Sequence, residues 1–339
     1  MPDYLSMSAR RPETRILAAI SGLWMSRLVG FAAKAGLFEA IDSGLGRVAE
    51  IAKEKDLAED PLARALEGLV HLGFLERNDD RYVLTDDGRL MLPGATGGFK
   101  DMAALWNELF DGAWAELETT IRTGQPGFTV RHGETLFARI GHDGAAAKHF
   151  VGAMRGLSQL IAREASILIA TRLRASGCTS ICDVGGGDGF LIAEIARICP
   201  NVECVLFDVP QVIELSSAHL SDYGVVGVSG SFFTSVPRAD AHILSNVIHD
   251  WSDEEALRIL KNVRRAQGQG STLFILEMML GGDTEPLLAR STDLNMLVLT
   301  GGRERTRDDF DSLLSEAGYR IASVQSIVDL TCLLEAVPV

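Results

Sequence analysis

The sequence predicts an α/β chain with a doubly wound parallel sheet in its C-terminal half and a mainly helical N-terminal half. Three observations predict it. After Gly177 short apolar runs alternate with helical patterns, and a glycine-rich turn, Asp183-Val-Gly-Gly-Gly-Asp-Gly, joins the first of those runs to the helix that follows. Before about residue 95, by contrast, apolar residues recur mostly at helical spacing. A chain of 339 residues, 47% of them hydrophobic, can bury more than one core.

The first element runs from Thr14 to about Phe38, where Leu17, Ile20, Trp24, Leu28 and Phe31 give a helix with one large apolar face. That face must be covered by this chain or by a second copy. Val48-Ala-Glu-Ile-Ala starts a second helix, and another begins at Asp60-Pro61. Gly73-Phe-Leu-Glu-Arg then leads into the alternating run Asp80-Arg-Tyr-Val-Leu-Thr. Helix, helix and small hairpin is the winged-helix order. A DNA-reading version carries a basic second helix, whereas here Arg64 stands beside Glu59, Asp60 and Glu67. Residues 1–95 are therefore expected to form a winged-helix-like scaffold.

Residues 96–176 read as a helical linker and pocket-forming region rich in large side chains, among them Trp106, Phe110, Trp114, Phe128, Phe137, Phe150 and Met154. Residues 177–339 read as a ligand-binding domain. Its strands are Ser180-Ile-Cys-Asp-Val, Val202-Glu-Cys-Val-Leu-Phe, Val225-Val-Gly-Val, Ala241-His-Ile-Leu-Ser and Thr272-Leu-Phe-Ile-Leu, which are nearly all apolar, as a sheet covered on both faces requires.

Composition excludes several roles. A formal net charge of −14 repels nucleic-acid phosphates. The five cysteines include no CxxC pair and sit in apolar runs, which fits reduced core thiols in a cytoplasmic protein. Arg27 and Lys34 interrupt the N-terminal apolar stretch, so neither a signal peptide nor a membrane span is expected.

The glycines after the first strand let the backbone turn tightly and approach a ligand, as in Rossmann-like cofactor cradles. A nicotinamide dinucleotide fingerprint wants glycine or alanine three residues beyond Gly187, but Phe190 stands there. Asp208, ending the second strand, is placed to accept both hydroxyls of an adenosine ribose.

Asn246-Val-Ile-His-Asp-Trp-Ser-Asp-Glu-Glu, taken with the glycine loop, Phe207-Asp-Val-Pro and Gly301-Gly-Arg-Glu-Arg-Thr, resembles the small-molecule O-methyltransferases of plant phenolic and bacterial natural-product metabolism, over nearly the whole chain. The resemblance implies S-adenosyl-L-methionine as cofactor. Asp183, Gly185 and Gly187 would surround its amino-acid end, Asp208 would hold the ribose, Phe232 and Phe233 would flank the adenine, and Ser245 would join the cofactor site. Ser231 stands where the family usually has an aspartate, which implies a weaker contact to the adenine amino group or one supplied elsewhere. It further implies His249 as catalytic base between Glu277 and Glu304, with Met154, Asp250, Asn295 and Met296 lining the substrate pocket. Residues 14–95 would form a homodimer interface.

The chemistry is consistent with that assignment. A phenol with a pKa near ~10 is a poor nucleophile at neutral pH until a base takes its proton. An imidazole of reference pKa ~6.5 can do so, and a carboxylate on its other nitrogen fixes the tautomer. No metal is expected, since the sequence shows no dense run of histidine and carboxylate at ligand spacing. The aromatic content of residues 106–154 favours an aromatic acceptor. Competing readings are a nicotinamide-linked oxidoreductase, a ligand-responsive winged-helix regulator, and a relative that uses the same cofactor for decarboxylation, hydroxylation or rearrangement.

Overall fold

The computed structural model describes residues 11–339 apart from 283, 284 and 287. It divides into two compact units. One comprises residues 11–111 together with Ala145–Gly156; the other comprises Gly112–Gly144 and the described part of Leu157–Val339. Residues 96–111 thus pack with the first unit, and most of the rest of the linker region packs with the second.

The first unit opens with the helix Pro12–Ala35, stopped by Gly36 in the left-handed region at φ +69°, whose N–H closes onto Ala32 and Ala33. Helices Val48–Lys55 and Glu59–His71 follow, then an antiparallel hairpin of β1 (Leu75–Asn78) and β2 (Arg81–Leu84). Ala33, Leu37, Phe38, Ile51, Leu66, Leu69 and Leu75 make its core. The first helix contributes only Gly30, Ala32 and Ala33 as fully buried residues, and leaves Ile16, Leu17, Ile20, Leu23 and Trp24 exposed. By length and composition it is apolar enough to cross a membrane. Two of its three cations are paired, Arg27 with Asp111 and Lys34 with Glu108.

The second unit is built on a seven-stranded sheet. In chain order its strands are β3 (Ser180–Val184), β4 (Glu203–Asp208), β5 (Val226–Ser229), β6 (Ala241–Ser245) and β7 (Thr272–Glu277). A separate parallel pair, β8 (Met279–Leu280) with β9 (Arg305–Thr306), lies beside it, and β10 (Tyr319–Ile327) and β11 (Thr331–Pro338) complete the sheet. The order across the sheet is β10-β11-β7-β6-β3-β4-β5, parallel except at β10 and β11. The chain winds outward from β3 to β5, then returns to the other side of β3 at β6. That reversal opens a crevice at the carboxyl ends of β3 and β6, where open α/β sheets bind ligands.

Alternation along each strand feeds two cores. Cys182, Val184, Leu244, Leu273 and Ile275 pack under Ile259, Leu260, Phe310 and Leu314, while Ile181, Leu206, Ile243, Phe274 and Leu276 pack under Ile161, Ile169, Leu191 and Ile195. Both faces are thus covered, which is why the parallel strands read as continuous apolar runs. All five cysteines are free thiols; four are buried and Cys178 partly so. His242 is buried in β6 between the Pro237 carbonyl, 2.9 Å from Nε2, and the Gln267 amide, 3.2 Å from Nδ1. Burial lowers its pKa, keeping it neutral.

Candidate active site

The loop after β3 is shaped by its glycines. Gly185, Gly187 and Gly189 take φ of +71°, +61° and +77°, a region closed to most side chains. At Gly186 a Cβ would lie 2.5 Å from the Asp183 carboxyl carbon and 2.6 Å from Leu206 Cδ1, so the loop lies directly on the buried Asp183. At Gly187 a Cβ would meet nothing within 4 Å, so the cradle is open there. Asp208, ending β4, accepts the Gly187 N–H at 3.0 Å on one oxygen and the Val209 N–H at 2.7 Å on the other.

Electrostatics make this an unsatisfied site. Asp183 is 1% exposed, and its Oδ1 has no hydrogen-bond partner. Burial, followed by repulsion from Asp208 and Asp188, pushes its pKa up to about 7. Burial raises Asp208 too, against its two backbone donors. An orphaned carboxylate oxygen, spare lone pairs on Asp208 and an open glycine turn together fit a ligand carrying an ammonium and neighbouring hydroxyls.

Beyond β5, Phe232 and Phe233 sit edge to face at 4.9 Å, and Trp251 meets Phe233 at 4.7 Å and Phe232 at 5.9 Å. Phe137 stacks on Trp251 at 5.5 Å. Asn262 Nδ2 and Arg258 Nε donate to the carbonyls of Phe232 and Phe233, at 2.8 and 2.9 Å, fixing that turn from the helix Asp253–Ala266. Ser231 Oγ accepts the Phe233 N–H at 3.3 Å and so serves its own turn. Ser245 ends β6, half-buried.

Past β6, Asn246 adopts φ +51° and the chain folds into a single 3₁₀ turn, Ile248–Asp250. Glu277, at the end of β7, caps this turn: its Oε1 accepts the N–H groups of Val247, Ile248 and His249 at 3.0, 2.7 and 3.3 Å. His249 Nδ1 lies 2.8 Å from Glu304 Oε1 and 3.4 Å from Glu277 Oε2. Among the described residues the carboxylate paired with Nε2 is that of Asp250, at 4.0 Å. Both glutamates are buried, at 2% and 1% exposure, and each keeps one oxygen without a hydrogen-bond partner.

Burial disfavours charge on His249, but the fields of Glu277, Glu304 and Asp250 outweigh it and hold the imidazole pKa well above its ordinary value. Glu277 is itself raised by burial, and Asp250 is pushed up to about 6 for the same reason. A hydrogen bond between Nδ1 and the Glu304 carboxylate favours the protonated imidazole.

Although no metal-like spacing is visible along the sequence, His249, Glu277 and Glu304 bring potential ligand atoms within 4.8 Å of one another. Strands far apart in sequence end side by side at the crevice, and only the fold shows this.

Asn295 and Met296 lie on the helix Ala289–Leu299. Asn295 Oδ1 accepts the Trp114 indole N–H at 2.9 Å, Met296 is buried, and Asp293 Oδ1 accepts the Glu304 N–H at 2.9 Å. Met154, half-buried, belongs to the first unit. Sequence reasoning missed the roles of Arg305, Asp293, Trp251 and Phe137. Arg305 and Trp251 stood inside quoted motifs, but nothing in the sequence marked their burial or contacts.

A profile of the O-methyltransferase domain family matches residues 114–320. The chain belongs to this O-methyltransferase family. A 3-amino-4-hydroxybenzoate 4-O-methyltransferase of Streptomyces cremeus is 33% identical to it over 96% of this chain and 91% of its own. The human N-acetylserotonin methyltransferase, solved with S-adenosylmethionine, superposes with a TM-score of 0.88 at 26% identity, over 98% of this chain and 99% of that one. An O-methyltransferase of neocarzinostatin biosynthesis, solved with S-adenosylmethionine and 2-hydroxy-5-methyl naphthoic acid, gives 0.81 at 27% identity, over 95% and 98%. The protein is accordingly an S-adenosylmethionine-dependent O-methyltransferase on a Rossmann-like α/β fold with a helical N-terminal region. The oxidoreductase and regulator readings are set aside.

Proposed function

We propose that this O-methyltransferase methylates a hydroxyl on a small aromatic molecule of natural-product metabolism, with His249 as the general base. One observation carries the reading: His249 Nδ1 is engaged by a buried carboxylate at 2.8 Å, while Nε2 makes no hydrogen bond among the described residues and is the nitrogen left for a substrate hydroxyl. The relatives support the substrate class, since two of those named above act on a hydroxybenzoate or bind a naphthoic acid.

Asp183, Gly185 and Gly187 would hold the amino-acid end of S-adenosylmethionine, Asp208 its ribose, Phe232 and Phe233 its adenine, with Ser231 and Ser245 beside them. When bound, the cofactor supplies an electrophilic methyl group on a sulfonium whose thioether leaves readily. The protein's part is to orient and deprotonate. His249 Nε2 takes the hydroxyl proton, and Glu304 and Glu277 stabilise the imidazolium that results. Asp250, Asn295 and Met296 are assigned to the acceptor pocket. No metal is assigned a step, because the imidazole and its carboxylates already constitute the proton acceptor.

The exposed apolar face of the helix Pro12–Ala35 is read as covered by a second copy, making residues 14–95 a winged-helix-like dimerisation domain of a cytoplasmic homodimer. The test is a labelled-methyl transfer assay over a panel of hydroxybenzoates and hydroxynaphthoates, with and without EDTA. Turnover by wild type, insensitive to EDTA and lost by at least ~10³-fold in His249→Ala, is expected. Turnover that survives His249→Ala overturns the base assignment. Light scattering should give twice the 36.6 kDa chain mass.

A further inference from the structure

Arg305 is the largest fully buried side chain described, at 1% exposure. Burying a guanidinium is costly unless its donors are all directed at acceptors. Here they converge on the segment that carries His249. Nη1 donates to the Ile248 carbonyl at 2.9 Å and Nη2 to the Trp251 carbonyl at 2.9 Å, gripping the 3₁₀ turn at both ends. Nε and Nη2 also donate to Asp253 Oδ1 at 3.0 and 2.8 Å. Asp253 is 60% exposed, so that carboxylate holds the guanidinium from the solvent side.

The backbone around Arg305 is joined to the same turn. The neighbouring Arg303 N–H donates to the His249 carbonyl at 2.8 Å. At Gly302 a Cβ would come 1.9 Å from that carbonyl, so only glycine permits the approach. In the pairing of β8 with β9, Met279 lies opposite Arg305, which brings Glu277 and Glu304 to the same end of that short ladder. Three successive residues therefore act on one turn: Arg303 through its N–H, Glu304 through its carboxylate on Nδ1, and Arg305 through its guanidinium on the flanking carbonyls.

We infer that Arg305 is a positioning residue for the methyl-transfer reaction, a clamp that fixes the His249 turn against the strand bearing Glu304 so that the imidazole keeps its carboxylate partner. This rests on the base assignment made above. Among the described residues the Arg305 side chain hydrogen-bonds to neither carboxylate of the cluster; it acts through the backbone of the turn. Lysine cannot replace it, since one ammonium cannot span two carbonyls and a carboxylate in the guanidinium's planar fork geometry.

The experiment compares wild type with Arg305→Met, Arg305→Lys and Asp253→Asn in kcat against pH, with the S-adenosylmethionine Kd by calorimetry as the second readout. Arg305→Met is expected to lower kcat by about 10²-fold, the scale for misplacing a reacting group by about 1 Å. The acidic limb of its profile should move to lower pH as His249 loses contact with Glu304, with the Kd within about twofold of wild type. Arg305→Lys should fall between. An unmoved limb with kcat within twofold overturns the clamp, and so does loss of cofactor binding in parallel with kcat, which marks a general structural role. Should Arg305→Met fail to fold, Asp253→Asn, altered at an exposed site, decides by the same limb: a smaller shift in the same direction supports the clamp, and none overturns it. His249→Ala run alongside separates the two readings, because activity retained there overturns the base assignment itself.

Discussion

The imidazole of His249 gives its Nδ1 to Glu304 at 2.8 Å, and the proton on that nitrogen is held between groups that are almost wholly buried. Such a base is strong but is occupied until the pH rises. Because Glu277, Glu304 and Asp250 hold the imidazole pKa above its ordinary value, kcat should climb with pH along a limb centred above ~6.5, as neutral imidazole is the form that accepts a proton. Glu304→Gln removes one of the raising fields, so its limb should move to lower pH while the plateau falls about 10²-fold or more. A limb that stays where it is would exclude Glu304 as the partner of the base.

Glu277 does two jobs with its two oxygens, and substitution can part them. Oε1 caps three backbone N–H groups, whereas Oε2 faces His249. Glu277→Gln keeps an acceptor for the cap and should lower kcat with little change in Tm. Glu277→Ala strands buried donors, each worth about 1–3 kcal/mol, and should lower Tm by several degrees as well. Differential scanning calorimetry beside kinetics distinguishes these outcomes; equal Tm values for the two variants would contradict the capping role.

At Gly186, alanine would set a Cβ 2.5 Å from the Asp183 carboxyl carbon and oxygen, both packed beneath the loop. The turn must lift or Asp183 must move, and each breaks the arrangement offered to the cofactor. Gly186→Ala should therefore weaken S-adenosylmethionine binding by at least ~10²-fold in calorimetry. Gly187→Ala has open space for its Cβ and faces only the φ of +61°, so it should be the milder of the two in the absence of ligand.

Much of this site was legible in the sequence because it lies at strand ends that sequence can locate. Continuous apolar runs mark parallel strands, with Asp208, Ser245 and Glu277 ending theirs and Asp183 one residue short of the end of β3, so all four lie at the crevice side once the sheet order reverses at β3. The last hairpin was not foreseen. β10 reads only weakly as a strand, with mixed burial from Tyr319 to Ile327, because it is the sheet's edge and pairs on one side only. Arg305 was equally hidden: an arginine in a polar motif reads as surface, and its burial follows from carbonyls supplied by residues 248 and 251. The metal-like convergence of His249, Glu277 and Glu304 has the same cause, since their separations in sequence of 28 and 55 residues carry no spacing signal.

Asp183 offers a test in stability rather than rate. Its carboxyl, raised to about 7 by burial and by Asp208 and Asp188, is protonated in the folded chain over a range where the unfolded chain, near ~3.9, has already lost the proton. The folded state then binds more protons than the unfolded one, so this group's contribution to stability falls as pH rises from about 4 to about 7 and stays low above that. Asp183→Asn removes the titration. Without cofactor, the variant should be more stable than wild type by on the order of 2 kcal/mol at pH 8, with a smaller gain at pH 5, while losing cofactor affinity. Chemical denaturation at the two pH values measures the difference directly. A gain independent of pH would show that Asp183 does not titrate in this window, and a loss at both would show that its carboxyl already has the partner that the buried Oδ1 lacks.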